Sequence, residues 1–171
     1  MTSPAAKRKT PDAPAFPKPG HNHAHCATEA LRQAEAICAA RKSKLTDIRR
    51  RVLEAVWKSH VPVGAYDILS QFNAGGGRVA PMAVYRALEF LMDNALVHRI
   101  ASLNAYTGCA HMGAGHHAAQ FLICRSCGTT AELESAPLNR ALTQAVAARG
   151  FTIDSQIVEI SGVCPHCRET P

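Results

Sequence analysis

Apolar residues between positions 28 and 40 (Leu31, Ala34, Ile37, Cys38) recur at steps of three and four, the spacing of one helix face. A stronger repeat follows in Leu45, Ile48, Val52, Leu53, Val56 and Trp57. Thr46 is placed to cap this second helix, Asp47 lies in its first turn, and Arg49, Arg50 and Lys58 occupy its other face. Gly64 can cap a short third helix over 65–72, and the triplet Gly75, Gly76, Gly77 then breaks the chain. Pro81 suits the first turn of a fourth helix through Tyr85, Leu88, Leu91 and Met92 to about Asn94. Positions 97–100 and 105–109 read as two short strands around the turn residues Ser102 and Asn104. Helices in succession followed by a short hairpin predict a winged helix, in which one helix enters the DNA major groove.

A joint at 110–115, with Gly113 and Gly115, separates this unit from a second one. There the pattern predicts a strand at 120–123, a tight turn at 124–128, a strand at 130–133 and a helix over 137–149. Ser135 would cap that helix and Gly150 end it, and a loosely alternating strand over 152–160 follows. The fold class expected is α+β: a winged-helix DNA-binding domain over 28–110, a hinge over 111–118, and a small α/β domain over 119–171, for which the cysteines and the resemblance given below imply stabilisation by zinc and a role in dimerisation. About fifty residues cannot bury an adequate core alone, so the second domain needs a metal or a partner subunit.

Composition narrows the function. With 47% hydrophobic and 19% charged residues the chain is an ordinary soluble protein, and no apolar run nears the eighteen or so residues of a membrane span. No apolar block follows Lys7, Arg8 and Lys9, so a secretory signal is not expected and the cytoplasm is the expected location. The net charge of +6 is uneven, with +5 on residues 41–100 and about −1 on residues 101–171. Basic charge gathered in the first half points to nucleic acid, although a solvated basic face would give the same count. Residues 1–27 carry Pro4, Pro11, Pro14, Pro17 and Pro19 among polar residues and are expected to be a disordered tail. It closes on His21, His23, His25 and Cys26, a tract that could hold a metal or be incidental.

Four of the seven cysteines form two C-x2-C pairs, Cys124 with Cys127 and Cys164 with Cys167. Each pair lets two sulfurs face one point, and two pairs supply the four thiolates of a tetrahedral structural zinc. Thioredoxin-like redox chemistry is the competing reading; pairs lying in turns, with no clear helix after them, disfavour it. A second, dispersed group comprises His98, Cys109, His116, His117 and Glu132. Each residue alone is a weak signal, but ligands from the wing and from the second domain would tie the two across the joint. No paired carboxylates in a cleft, nucleophile elbow or phosphate loop is present, so neither an enzyme nor a small-molecule substrate is expected. A zinc-stabilised DNA-binding module without sensing is the plainer alternative.

The stretch Met82-Ala83-Val84-Tyr85-Arg86-Ala87-Leu88 resembles the recognition helix of the ferric uptake regulator family, and Phe121-Leu122-Ile123-Cys124-Arg125-Ser126-Cys127-Gly128 resembles its first zinc knuckle. The similarity covers residues 28–168. Cys109, the two knuckles and Ala65-Tyr66-Asp67-Ile68-Leu69 are most similar to the zinc uptake branch. Absence of an Asp-His before the knuckle, where Ala118, Ala119 and Gln120 stand, sets the chain apart from the ferric and peroxide-sensing branches. The resemblance implies a homodimeric repressor on operator DNA with two zinc ions per subunit. One is structural, on Cys124, Cys127, Cys164 and Cys167; the other is sensory, on His98, Cys109, His117 and Glu132. It implies that Tyr66 and Arg86 meet bases, that Tyr85 reaches backbone or packs, and that Lys44, Arg49 and Arg50 serve phosphates.

Overall fold

A computed structural model describes residue 16 and residues 23–75, 78–113 and 118–169. Four helices come first: α1 (His23–Ala40), α2 (Asp47–Trp57), α3 (Ala65–Ala74) and α4 (Pro81–Asp93). They pack through the faces that the periodicity marks. Val52, Leu53 and Val56 of α2, Ile68 of α3, and Val84, Leu88 and Leu91 of α4 are fully or almost fully buried in one core with Ala34 and Cys38 of α1. Four side chains of leucine or isoleucine size, each contributing about 1.5–3 kcal/mol, give this half a core of its own.

Two helix starts differ from the expectation. α1 begins at His23 rather than at 28, so the last five residues of the expected tail are helical, while residues 1–15 and 17–22 lie outside the described residues. Thr46 stands at the N-cap of α2 with extended backbone, but its side chain makes no capping bond; its carbonyl accepts from Arg50 N at 2.9 Å. Asp47 is left to favour the helix start through the macrodipole. Gly64 does precede α3, where its N–H donates to Asp67 at 3.3 Å.

Strands β1 (Val97–Ile100) and β2 (Ala105–Gly108) form the antiparallel wing. Asn104 turns it in the left-handed region at φ 48°, which Asn tolerates better than most residues. The wing rests on α2 through Trp57. A Cβ on Gly108 would lie 2.2 Å from that indole, so the strand can approach the ring only where the side chain is missing.

The second half is a three-stranded sheet in the order β4 (Thr130–Leu133), β3 (Ala119–Cys124), β5 (Ile157–Gly162), with α5 (Ala136–Ala147) between β4 and β5. β3 runs antiparallel to β4 and parallel to β5. The last strand thus starts at 157 and not at 152; pairing Ala119 with Ile157 through to Cys124 with Gly162 sets its limits, which weak alternation could not reveal. Ser135 caps α5 as expected, accepting from Leu138 N at 3.4 Å. A short helix, α6 (Pro165–Glu169), follows Cys164 and corrects the expectation that no clear helix follows either cysteine pair. No described helix is long and apolar enough to cross a membrane.

The halves touch. Ile100 of the wing is buried with Ala119, Phe121 and Ile123. Thr130 donates from its backbone (2.8 Å) and hydroxyl (3.2 Å) to the carbonyl of His60, in the loop after α2. Glu159 on β5 reaches the turn of the wing and accepts from Ala101 N at 2.7 Å and Ser102 N at 3.1 Å. Burial pushes its carboxyl up, but the Ser102 hydroxyl and the two amides together hold it below the usual carboxylate range.

Candidate metal centres and nucleic-acid interface

Parallel pairing of β3 with β5 brings the two cysteine pairs together. Cys124 ends β3 opposite Gly162, and Arg125 N donates to Gly162 O at 2.9 Å, so the segment entering Cys164 lies against the first turn. Gly128, at φ 74°, lets that turn close with a 2.8 Å bond from its N–H to Cys124 O. The four sulfurs lie within 4.8 Å of one another. Cys127 and Cys164 are 3.9 Å apart, close to the edge of about 3.8 Å that a tetrahedron with Zn–S bonds near 2.3 Å demands.

The electrostatics of this pocket suit a cation. The Cys164 amide donates to Cys124 Sγ at 3.4 Å and, with other backbone N–H groups, pulls the Cys124 thiol down to about 5. Thr129 lowers Cys127. The neighbouring thiols, Cys164 first, push Cys167 up to about 12. One sulfur is thus ready as a thiolate while another resists becoming one, the signature of negative charge gathered without a counterion; a dication at the centre would relieve it. A redox pair would need one exposed, reactive cysteine beside one partner, whereas here all four converge and two are buried.

The second group assembles across the halves. His98 lies on β1, Cys109 just past β2 and Glu132 on β4, with their ligand atoms within 4.8 Å of one another. His98 Nε2 is 3.7 Å from Glu132 Oε1, and the imidazole is steadied edge-on by Phe121 at 5.3 Å between centroids. Ala110 N donates to Glu132 Oε2 at 2.9 Å, leaving Oε1 turned to the histidine. Cys109 is wholly buried; burial first, and then the Glu132 charge, push its thiol up to about 12. An imidazole, a thiol that a metal would deprotonate and a carboxylate form a donor set that zinc accepts, with one position still to fill. His116 and His117 lie outside the described residues.

Sequence reasoning missed His111. Its Nδ1 is 3.4 Å from Glu132 Oε1 and its Nε2 is 3.4 Å from Glu134 Oε2, so it lies on the outer side of the carboxylate. The C-x-H spacing of Cys109 and His111 was the available signal.

In the first half, α4 presents Arg86 to solvent. Tyr66, at the start of α3, is 73% exposed and meets the half-buried Tyr85 edge-on at 6.4 Å, one stacked pair beside the arginine's helix. Burial and the bond to Tyr66 raise the Tyr85 phenol above its ordinary value, which keeps it neutral. Lys44 is exposed. The other two basic residues have partners within the chain: Arg49 lies 3.5 Å over the Phe90 ring and donates to Lys44 O at 2.6 Å, and Arg50 pairs with Glu35 of α1.

Residues 40–161 match the ferric uptake regulator family. The zinc uptake regulation protein of Escherichia coli (strain K12) is 33% identical over 141 residues, covering 82% of each chain. Among solved structures, a zinc uptake regulator complexed with zinc and DNA superposes with a TM-score of 0.79 at 32% identity, covering 84% of this chain and 95% of that one. Holo XcZur gives 0.77 at 36% identity over 83% of this chain and 99% of its own. The apo form of the same relative gives only 0.50 at 38% identity, over 83% and 97%.

Proposed function

We infer from one premise, that this chain belongs to the ferric uptake regulator family, that it is a zinc-responsive repressor which binds operator DNA as a homodimer. The observation that carries the reading is the convergence of His98, Cys109 and Glu132, since these donors come from both sides of the joint. An ion bound there ties the wing to β4 and so fixes where the reading helix sits relative to the second domain. Likeness to the holo rather than the apo form of one relative supports the view that this is the metal-loaded arrangement.

In this reading Cys124, Cys127, Cys164 and Cys167 hold a structural zinc, and His98, Cys109 and Glu132, with His117 completing the set, hold the sensory one. Each ion supplies positive charge at a fixed point. The chain's own residues do the rest: Glu132 is oriented by the Ala110 amide, Glu159 fastens the wing's turn to β5, and Tyr66 and Arg86 face the major groove, where arginine can bond guanine bidentately. Residues 28–110 read DNA, 111–118 join the two units as a hinge and 119–171 dimerise. A second copy has a surface to meet. No residue of α5 is buried, β5 pairs on one side only among the described residues, and Phe151, Ile157 and Ile160 are 69%, 52% and 43% exposed. A twofold dimer places two reading helices about one DNA turn, roughly 34 Å, apart.

The test is binding to promoter DNA of a zinc uptake gene with free zinc buffered over a wide range, and with iron and manganese as controls. Affinity that rises with zinc alone is the expected result. Binding indifferent to free metal reduces the protein to a zinc-stabilised DNA-binding module, and a response to iron moves it to the ferric branch.

A further inference from the structure

The His-rich tract ends on the first helix. The buried stripe of α1 is Ala30, Ala34 and Cys38. Carried back by four residues and then three, that stripe passes through Cys26 and His23, both half-buried, whereas His25 points the other way and is exposed. The face meets the end of α2. The His23 imidazole packs on that of His60, with centroids 5.0 Å apart and planes tilted by 55°. His60 is itself half-buried, and its carbonyl takes both Thr130 bonds described above. With Glu132 it also lines a cavity of about 240 Å³ at the junction of the two halves.

We propose that His23, Cys26 and His60 form a third metal site, separate from the two above, that takes zinc or a similar late divalent ion. Two imidazoles sharing one tetrahedral ion hold their centroids about 5 Å apart, as these two already are. Cys26 lies one turn along from His23 on the same face, where the pair can bind as i and i+3 ligands. Unlike the other two groups, the three donors do not yet converge within 4.8 Å, so the ion draws them in by side-chain rotation. Two imidazoles and a thiolate suit borderline or soft ions, and water can take the fourth position. The site joins α1 to the loop that Thr130 holds, so its occupancy bears on the same junction as the Glu132 group.

The full chain loaded with Zn²⁺, with bound zinc per subunit measured at fixed free zinc, tests the site. His23→Gln, Cys26→Ser and His60→Gln should each bind one equivalent less than wild type, and His25→Gln should bind the same. Because only the difference from wild type is read, the result does not depend on whether the His98 group is sensory. With Co²⁺ as probe, Cys26→Ser should remove one thiolate's share of the near-ultraviolet charge-transfer band while leaving the dichroism of the helices intact. Unchanged stoichiometry in His60→Gln, which lies off the tract and leaves α1 untouched, overturns the proposal. So does an equal loss in His25→Gln, because it means that the tract binds metal as a peptide with no contribution from the fold.

Discussion

The two candidate centres first described differ in how their donors are gathered. Cys124, Cys127, Cys164 and Cys167 all belong to the second half, where adjacent parallel strands, the tight turn after β3 and the start of α6 bring them together. His98, Cys109 and Glu132 converge only because the two halves lie in one particular arrangement, with Ile100 of the wing buried against Ala119, Phe121 and Ile123. On the proposed reading, an ion at the first centre would be coupled to whether the second half folds, and an ion at the second to how the two halves are placed. Zinc chemistry would be similar at both; the topology around each centre is what suits the first to the role of a staple and the second to that of a sensor.

Breaking the staple should have the largest effect. Cys124→Ser removes the sulfur whose pKa is drawn down to about 5 from a site of a kind that contributes about 10 kcal/mol or more, as much as a whole domain's stability. The second half should lose its cooperative melting transition and the protein its dimer, as followed by calorimetry and sedimentation; an unaltered transition would remove the structural role. At the sensor the expected loss is functional. Cys109→Ala and Glu132→Gln should keep the fold but weaken zinc at this site by more than the roughly 10- to 100-fold typical of losing an outer partner, measured by chelator competition. Zinc-dependent DNA binding should vanish with it.

Acidity sharpens the contrast. The Cys109 thiol, pushed up to about 12, stays protonated through neutral pH, so zinc must displace its proton. A raised folded-state pKa favours the protonated form, and the sign for metal binding follows: affinity is weak at low pH and grows as pH rises. Sensory zinc affinity should therefore increase about tenfold per pH unit between about pH 7 and 9, a slope that Cys109→Ala should flatten. The smallest effect belongs to the clasp between the halves. Glu159→Ala gives up two partly exposed bonds to Ala101 and Ser102, and DNA affinity at saturating zinc should fall about fivefold, by analogy with single charged hydrogen bonds near a surface. A titration of labelled operator would read it, and unchanged affinity would make the clasp incidental.

Much of this was legible in the residues. The starts of α3 and α4 fall where Gly64 and Pro81 put them, the wing strands fall on either side of the expected turn, and the cysteine pairs meet as their spacing requires. These features follow from local period and from chemistry that acts over a few residues. The parts that were misread depend on distant neighbours. β5 starts five residues late because its register is set by β3, and α6 depends on the turn that Cys164 makes against Cys124. The Thr46 hydroxyl makes no capping bond although the residue stands in the capping position. His111 and Glu159 gain their roles from partners 21 and 58 residues away, which no periodicity encodes.

The bond from the Ala110 amide to Glu132 Oε2 has a bearing on which ions the sensor ignores. With that oxygen committed to the backbone, the carboxylate offers a metal one oxygen, Oε1, beside an imidazole and a sulfur. Calcium seeks six to eight oxygen ligands and often grips a carboxylate by both, while magnesium holds its waters and prefers an all-oxygen octahedron. Neither finds its coordination here. At the proposed site the imidazole and sulfur donors would turn away the abundant hard cations of a cell, and the Ala110 amide would add to this by engaging one of the two carboxylate oxygens.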